Sequence, residues 1–234
     1  FSSDGAAASA IVNQYPIVIE SVTAGPNTLL SNYNIIFSDG TMDVVARPIT
    51  ITADAKSKIY GEADPSLTWQ ITSGGIVNGD TPTGSLTRVT GENAGSYAIL
   101  QGSLTYGSNY SETYVGANLT IGKAPLMVIA ENKSKVYDGA GFSSFTVRFE
   151  GFINGDDHTS LGGTLDFAGT AIGAINAGDF VIIPSGYTSE NYTISYANGT
   201  LTINPRDITI TADARSKIMG EADPEFTWQI TSGS

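Results

Sequence analysis

The sequence predicts an all-β protein made of small domains in tandem, and three observations carry that expectation. Residues 47–74 return almost unchanged at 206–233, with 23 of 28 positions identical. Apolar residues alternate with polar ones over runs of four to six residues, as in Ile49, Ile51 and Ala53 against Thr50, Thr52 and Asp54, the period of a strand with one buried face. Pairs such as Asp39-Gly40, Asn78-Gly79, Asn154-Gly155 and Asn198-Gly199 punctuate the chain and favour the positive φ of tight turns.

The repeat sets the domain organisation. A weaker copy of the front segment, APLMVIAENKSKVYDGAGFSSF, aligns Lys133, Ser134, Lys135 and Tyr137 with Lys56, Ser57, Lys58 and Tyr60. A closing segment recurs three times, as NYNIIFSDGTMDVV at 32–45, NYSETYVGANLTIG at 109–122 and NYTISYANGTLTIN at 191–204. The expected units are therefore 1–46, the back half of a repeat; 47–123 and 124–205, two complete repeats; and 206–234, the front half of a further one. Near-identity at so long an offset is what alternating units in an array produce.

Each unit reads as short strands, whether arranged as an immunoglobulin-like sandwich or a β-grasp-like sheet. Front strands bury Ile49 and Ile51 or Ile208 and Ile210, and closing strands bury Leu119 and Ile121 or Leu201 and Ile203. A helical turn is expected at 78–86 and at 154–163, with Asp80 or Asp156 as N-cap. At Asn204-Pro205-Arg206-Asp207 the inward positions pass from odd to even with no flexible linker, so a stiff, extended array is expected.

Composition excludes several functions. Eleven basic residues against 23 acidic ones give a formal charge of −12, which repels phosphate backbones, so no nucleic-acid partner is expected. There is no cysteine, hence no disulfide and no thiolate metal site. No apolar run approaches a membrane helix, so no membrane insertion by this segment is expected. The N-terminal FSSDGAAASAIVNQY lacks the basic start of a signal peptide, which places any export signal outside this sequence.

These motifs together resemble the MBG repeat family, the "mostly beta, glycine-rich" modules. KIYGEADP at 58–65 is similar to the YGX signature and KVYDG at 135–139 to the YDG one, while AGSY (94–97), AGDF (177–180) and the NY…GTLTI endings match the later part of the pattern. Met219 departs from it where Tyr60 and Tyr137 stand, which marks a packing position. The resemblance implies tandem modules of large secreted or cell-surface bacterial proteins, many of them adhesins. It implies no catalytic residues.

Candidate chemistry is sparse, and no catalytic, cofactor or metal site is assigned. His158 is the single histidine, so a Ser–His–Asp relay would have to use it. Glu62 with Asp64 is the carboxylate pair to weigh for glycoside hydrolysis; the pair recurs at Glu221 and Asp223 but not in the middle unit, which favours a surface turn. Asp80, Asp156 and Asp157 are the acidic loop residues to weigh for calcium, though none has D-x-D-x-D spacing. Trp69, Trp228, Tyr110, Tyr114, Tyr192 and Tyr196 sit at equivalent strand positions and read as core rather than a sugar-stacking platform. Lys58, Lys135 and Lys217 recur in every front half; a strand-end lysine with its head in water is expected, with a cross-link to Asn32, Asn109 or Asn191 as the alternative.

The expectation is a structural repeat segment, the stalk or fibre of an extracellular adhesin. The alternative is a glycan- or protein-binding module. Neighbouring repeats, or further copies of the chain in a filament, are the expected partners, because the front half at 206–234 complements the back half at 1–46. A longer array or head-to-tail completion between chains both follow from that complementarity.

Overall fold

The computed structural model describes residues 1–233. The chain divides into two compact units, Phe1–Gly122 and Lys123–Ser234.

In the first unit, β1 (Asn13–Ile17) pairs antiparallel with β2 (Gly40–Val44), setting Tyr15 against Met42. A complete repeat follows: β3 (Arg47–Ala53), β4 (Lys56–Ile59), β5 (Trp69–Ser73), β6 (Thr87–Arg88), β7 (Gly95–Leu100), β8 (Tyr110–Val115) and β9 (Ala117–Gly122). They form a three-stranded sheet ordered β5-β3-β8 and a four-stranded sheet ordered β4-β9-β7-β6. Ile49 and Ile51 from one sheet, with Ile99, Leu119 and Ile121 from the other, are buried. Fully burying each such side chain stabilises by about 1.5–3 kcal/mol.

The repeat's first and last segments run side by side through both sheets. β3 pairs parallel with β8, Arg47 opposite Tyr110, and β4 pairs parallel with β9, Lys56 opposite Leu119. The offset is the same before and after the bend, so both segments cross from sheet to sheet together, at Asp54-Ala55 and at Gly116. One two-stranded parallel ribbon thus stitches the sandwich.

The second unit repeats this topology strand for strand: β10 (Ala124–Ala130), β11 (Lys133–Val136), β12 (Val147–Glu150), β13 (Gly162–Ala168), β14 (Gly178–Thr188), β15 (Tyr192–Ala197) and β16 (Gly199–Asn204). Its sheets are ordered β12-β10-β15 and β11-β16-β14-β13. Ala130, Ile182, Leu201 and Ile203 draw both sheets onto one core, extended by Phe142, Phe145, Phe167 and Phe180. The architecture is a sandwich, with no α-helix among the described residues.

The two remaining segments fold only in part, and the pattern has one cause. β17 (Thr209–Ala212) and β18 (Trp228–Ser232) form an antiparallel pair with the register and bulge of β3 and β5. Residues 215–218 repeat three of the four residues of β4 yet form no strand, and residues 33–38, aligned with β8, form none either. Those missing strands are the ones whose pairing in a complete repeat joins front half to back half. Strand propensity without a ladder partner does not hold an extended segment in place. The apolar face shows it: Ile51 is fully buried, whereas Ile210, its counterpart in the nearly identical segment, is 55% exposed.

Local expectations divide. Asn78 and Asn154 adopt positive φ, each followed by a positive-φ glycine, as their turn chemistry predicts. Gly40 and Gly199 instead begin strands, and at Gly199 the reason is space, since a Cβ there would lie 2.7 Å from the Ala130 carbonyl oxygen. The helical turn at 154–163 is a 3-10 turn at His158–Ser160 capped by Asp157, not Asp156; residues 78–86 form none.

Candidate functional site

The densest polar constellation lies where β4, β6 and the loop before β7 meet. Lys58 occupies the inward position of β4 and is 7% exposed. Its Nζ lies 2.7 Å from Asp64 Oδ1 and 2.6 Å from Glu92 Oε2. Arg88 on β6 donates to both Asp64 oxygens, at 2.5 and 3.1 Å, to Glu92 at 2.5 Å, and to the carbonyls of Val89 and Gly91. Its guanidinium carbon stands 5.5 Å from the centre of the Tyr97 ring.

Two cations and two carboxylates balance in this clasp, and each holds the other ionised. Hydrogen bonds from Arg88 and Lys58 lower the Asp64 pKa to about 2. Those from Lys58 and Arg88 lower that of Glu92. Bonds to Asp64 and Glu92 raise that of Lys58 despite its burial. A general acid for glycoside hydrolysis needs a raised carboxyl pKa, the reverse of this arrangement.

The clasp revises one expectation. Lys58 is a buried ion-paired lysine rather than one with its head in water, because the inward alternation of β4 carries it under Asp64 and Glu92. Glu62 and Asp64 do not act as a pair: Glu62 accepts the Ile59 N–H at 2.7 Å, while Asp64 closes the clasp. Equivalent lysines also meet carboxylates, Lys135 with Asp138 at 2.5 Å and Lys217 with Asp223. Lys58 stands opposite Ile121 and Lys135 opposite Ile203, whereas Asn109 and Asn191 adjoin the other end of the ribbon beside Tyr110 and Tyr192. Register thus separates each of these lysines from the asparagine of its own repeat.

Arg88 and Glu92 were not singled out from sequence. A signal existed, since Arg88 is the sole basic residue between Lys58 and Lys123, and a lone cation so placed needs a partner.

Two of the other acidic loop residues, Asp80 and Asp156, are engaged by tyrosines. Tyr110, 6% exposed, donates its hydroxyl to Asp80 at 2.8 Å and accepts the Val77 N–H at 3.1 Å. Tyr192 does the same with Asp156 at 2.7 Å and Ile153 at 3.2 Å. Asp157 accepts from Thr159. Among the described residues no group of three or more His, Asp or Glu side chains is placed to hold a metal ion.

The remaining aromatics make no platform. Tyr114 donates to the Ile99 carbonyl and Tyr196 to that of Tyr187, and Trp69 is half-buried. Trp228, expected in a core, is exposed with the rest of its face. The His158 ring lies against Phe149, centroids 6.3 Å apart. An open cleft of about 440 Å³ in the second unit is lined by Ser160, Gly162, Thr188, Ser189, Glu190 and Asn191, where Glu190 is the lone ionisable group.

What recurs in both complete repeats is scaffold: the parallel ribbon, the tyrosine anchor and the positive-φ glycine that follows the third strand, Gly74 after β5 and Gly151 after β12. The profile of the MBG domain (YGX type) matches residues 49–120 and 126–202, although the second stretch carries KVYDG where the first carries KIYGEADP. No curated protein matches the chain at a significant level. Both matches fall within the two complete sandwiches, and the chain belongs to the MBG domain family, whose members are repeat modules of surface proteins.

Proposed function

We propose that the chain is a structural spacer, a stalk or fibre segment of an extracellular bacterial surface protein of the adhesin kind. One observation carries this reading: in each complete repeat the strand that enters and the strand that leaves are parallel neighbours. Tension applied between Arg47 and Gly122 pulls β3–β4 against β8–β9 along their length. The ladder bonds of the ribbon are then loaded together rather than opened one after another. A repeat that transmits force needs this geometry, and an enzyme or a binding module does not. Repetition of one module along the chain, with carboxylates and tyrosines spent on internal bonds, supports the same reading.

Single-molecule pulling tests it, and the absence of cysteine makes attachment points easy to introduce. With handles at Pro48→Cys and Thr120→Cys the ribbon is sheared. With handles at Pro48→Cys and Ser111→Cys, neighbours across the ladder, it is unzipped. Shear is expected to require a severalfold higher force, and full extension of residues 47–122 to release about 250 Å of chain. Equal forces in the two geometries would remove the basis for a load-bearing role.

A further inference from the structure

Two turns carry an asparagine–glycine pair between the two groups that grip a buried tyrosine. In the first repeat the order is Val77-Asn78-Gly79-Asp80. The Val77 N–H donates to the Tyr110 hydroxyl, that hydroxyl donates to Asp80, and the Asp80 N–H closes the turn on the Val77 carbonyl at 3.0 Å. In the second repeat Ile153-Asn154-Gly155-Asp156 holds Tyr192 in the same way, with its turn bond at 2.9 Å. Asn78 and Asn154 are exposed at φ 57, and a Cβ at Gly79 or Gly155 would meet nothing within 4 Å. The third such pair, Asn198-Gly199, is enclosed: Gly199 is buried in β16 opposite Ile182, with the Ala130 carbonyl against it.

We propose that Asn78 and Asn154 are sites of spontaneous backbone modification, at which each turn slowly converts to an aspartyl or isoaspartyl linkage and slackens its tyrosine. The Gly79 nitrogen attacks the Asn78 side-chain carbonyl carbon. An N–C bond forms, the bond from that carbon to Nδ2 breaks, and Nδ2 leaves as ammonia with the proton from the Gly79 N–H. Water then opens the five-membered imide at either carbonyl. Opening at one restores the main chain with an aspartate side chain; opening at the other routes the main chain through the former side chain, one methylene longer. Asn154 and Gly155 react alike. Glycine favours the attack because no side chain shields its nitrogen. Flexing of an exposed turn suffices at Asn78 and Asn154, whereas Gly199 must first leave its ladder, an opening of higher free energy.

Placement gives the reaction its consequence. Either product adds a carboxylate two residues from Asp80 or Asp156. The isoaspartyl product also lengthens the span whose two ends meet on one tyrosine hydroxyl. The proposal rests on the tyrosine anchors and not on load-bearing, so its failure leaves the spacer reading standing.

The whole chain, kept warm at mildly alkaline pH, tests this by peptide mass and by fragmentation that separates aspartyl from isoaspartyl links. In the folded chain, conversion at Asn78 and Asn154 is expected to run about tenfold or more ahead of Asn198, and in urea all three are expected to convert at similar rates. Asn78→Gly with Asn154→Gly keeps residues suited to positive φ and removes the reacting amides. Aged in parallel, this variant retains its urea midpoint, while the unsubstituted chain loses midpoint in step with conversion. Asn198 keeping pace with the other two in the folded chain, no conversion at Asn78 and Asn154 there, or an aged unsubstituted chain that keeps its midpoint as the variant does, overturns the proposal.

Discussion

Tyr110 and Asp80 share a hydrogen bond of 2.8 Å that ties the last strand of the three-stranded sheet to the loop after β5. The tyrosine is nearly buried and its oxygen also receives the Val77 N–H, so no nearby water can replace it freely. Tyr110→Phe strips both groups of their partner. It is expected to destabilise the first repeat by about 1–2 kcal/mol, and Tyr192→Phe to do the same in the second, read by urea unfolding.

Gly74 gives a second prediction. It sits at φ +76, and a Cβ there would lie 2.3 Å from the Pro48 carbonyl oxygen. The corresponding Gly151 and Gly233 face the carbonyls of Pro125 and Asp207 in the same way. Gly74→Ala adds both strain and a clash with backbone, and about 2 kcal/mol or more is expected. Trp69 fluorescence during denaturation checks it.

Acid should weaken the first repeat through the clasp. The folded pKa of Asp64 is about 2, below its unfolded value near 4. Its contribution is therefore complete above about pH 4 and lost as pH falls through 2. Asp64 is partly exposed, and solvent screening keeps the effect to roughly 1 kcal/mol. Asp64→Asn is expected to flatten the difference in stability between pH 5 and pH 2. An unaltered pH profile would remove the clasp from the account.

Identical sequence in two settings allows a direct comparison. Ile51→Ala opens a cavity in a closed core and should cost about 2–5 kcal/mol. Ile210→Ala, on the exposed face, should change the unfolding of the dilute chain by less than about 0.5 kcal/mol. Calorimetry of the two variants at low concentration distinguishes them.

The fold was legible where pattern and partner coincide. Alternation at Ile49–Ala53 and at Leu119–Ile121 predicts strands, and each finds its ladder. The same alternation predicts a buried face at Ile208 and Ile210, which is exposed, because periodicity reports which face is apolar and not whether a neighbour is present. Asn78-Gly79 and Asn154-Gly155 declare themselves through local φ preferences; Asn198-Gly199 misleads, since the need for glycine there comes from a carbonyl 69 residues earlier in the chain. The clasp stayed hidden for a similar reason. Lys58, Asp64, Arg88 and Glu92 are spread over three elements, and nothing local marks Arg88 as their centre.

The ribbon also decides where a repeat of this chain can change length. Its pairing offset is 63 residues in one repeat, Arg47 to Tyr110, and 68 in the other, Ala124 to Tyr192, yet neither ribbon is distorted. The longer repeat has the longer outer hairpin, β13–β14 in place of β6–β7, at the edge of its sheet and outside the ribbon. Extra residues there cost a modest loop-closure entropy and disturb none of the pairings between entering and leaving strands. The outer hairpin is thus the place where added residues leave the ribbon untouched, and where a foreign peptide could be grafted and displayed.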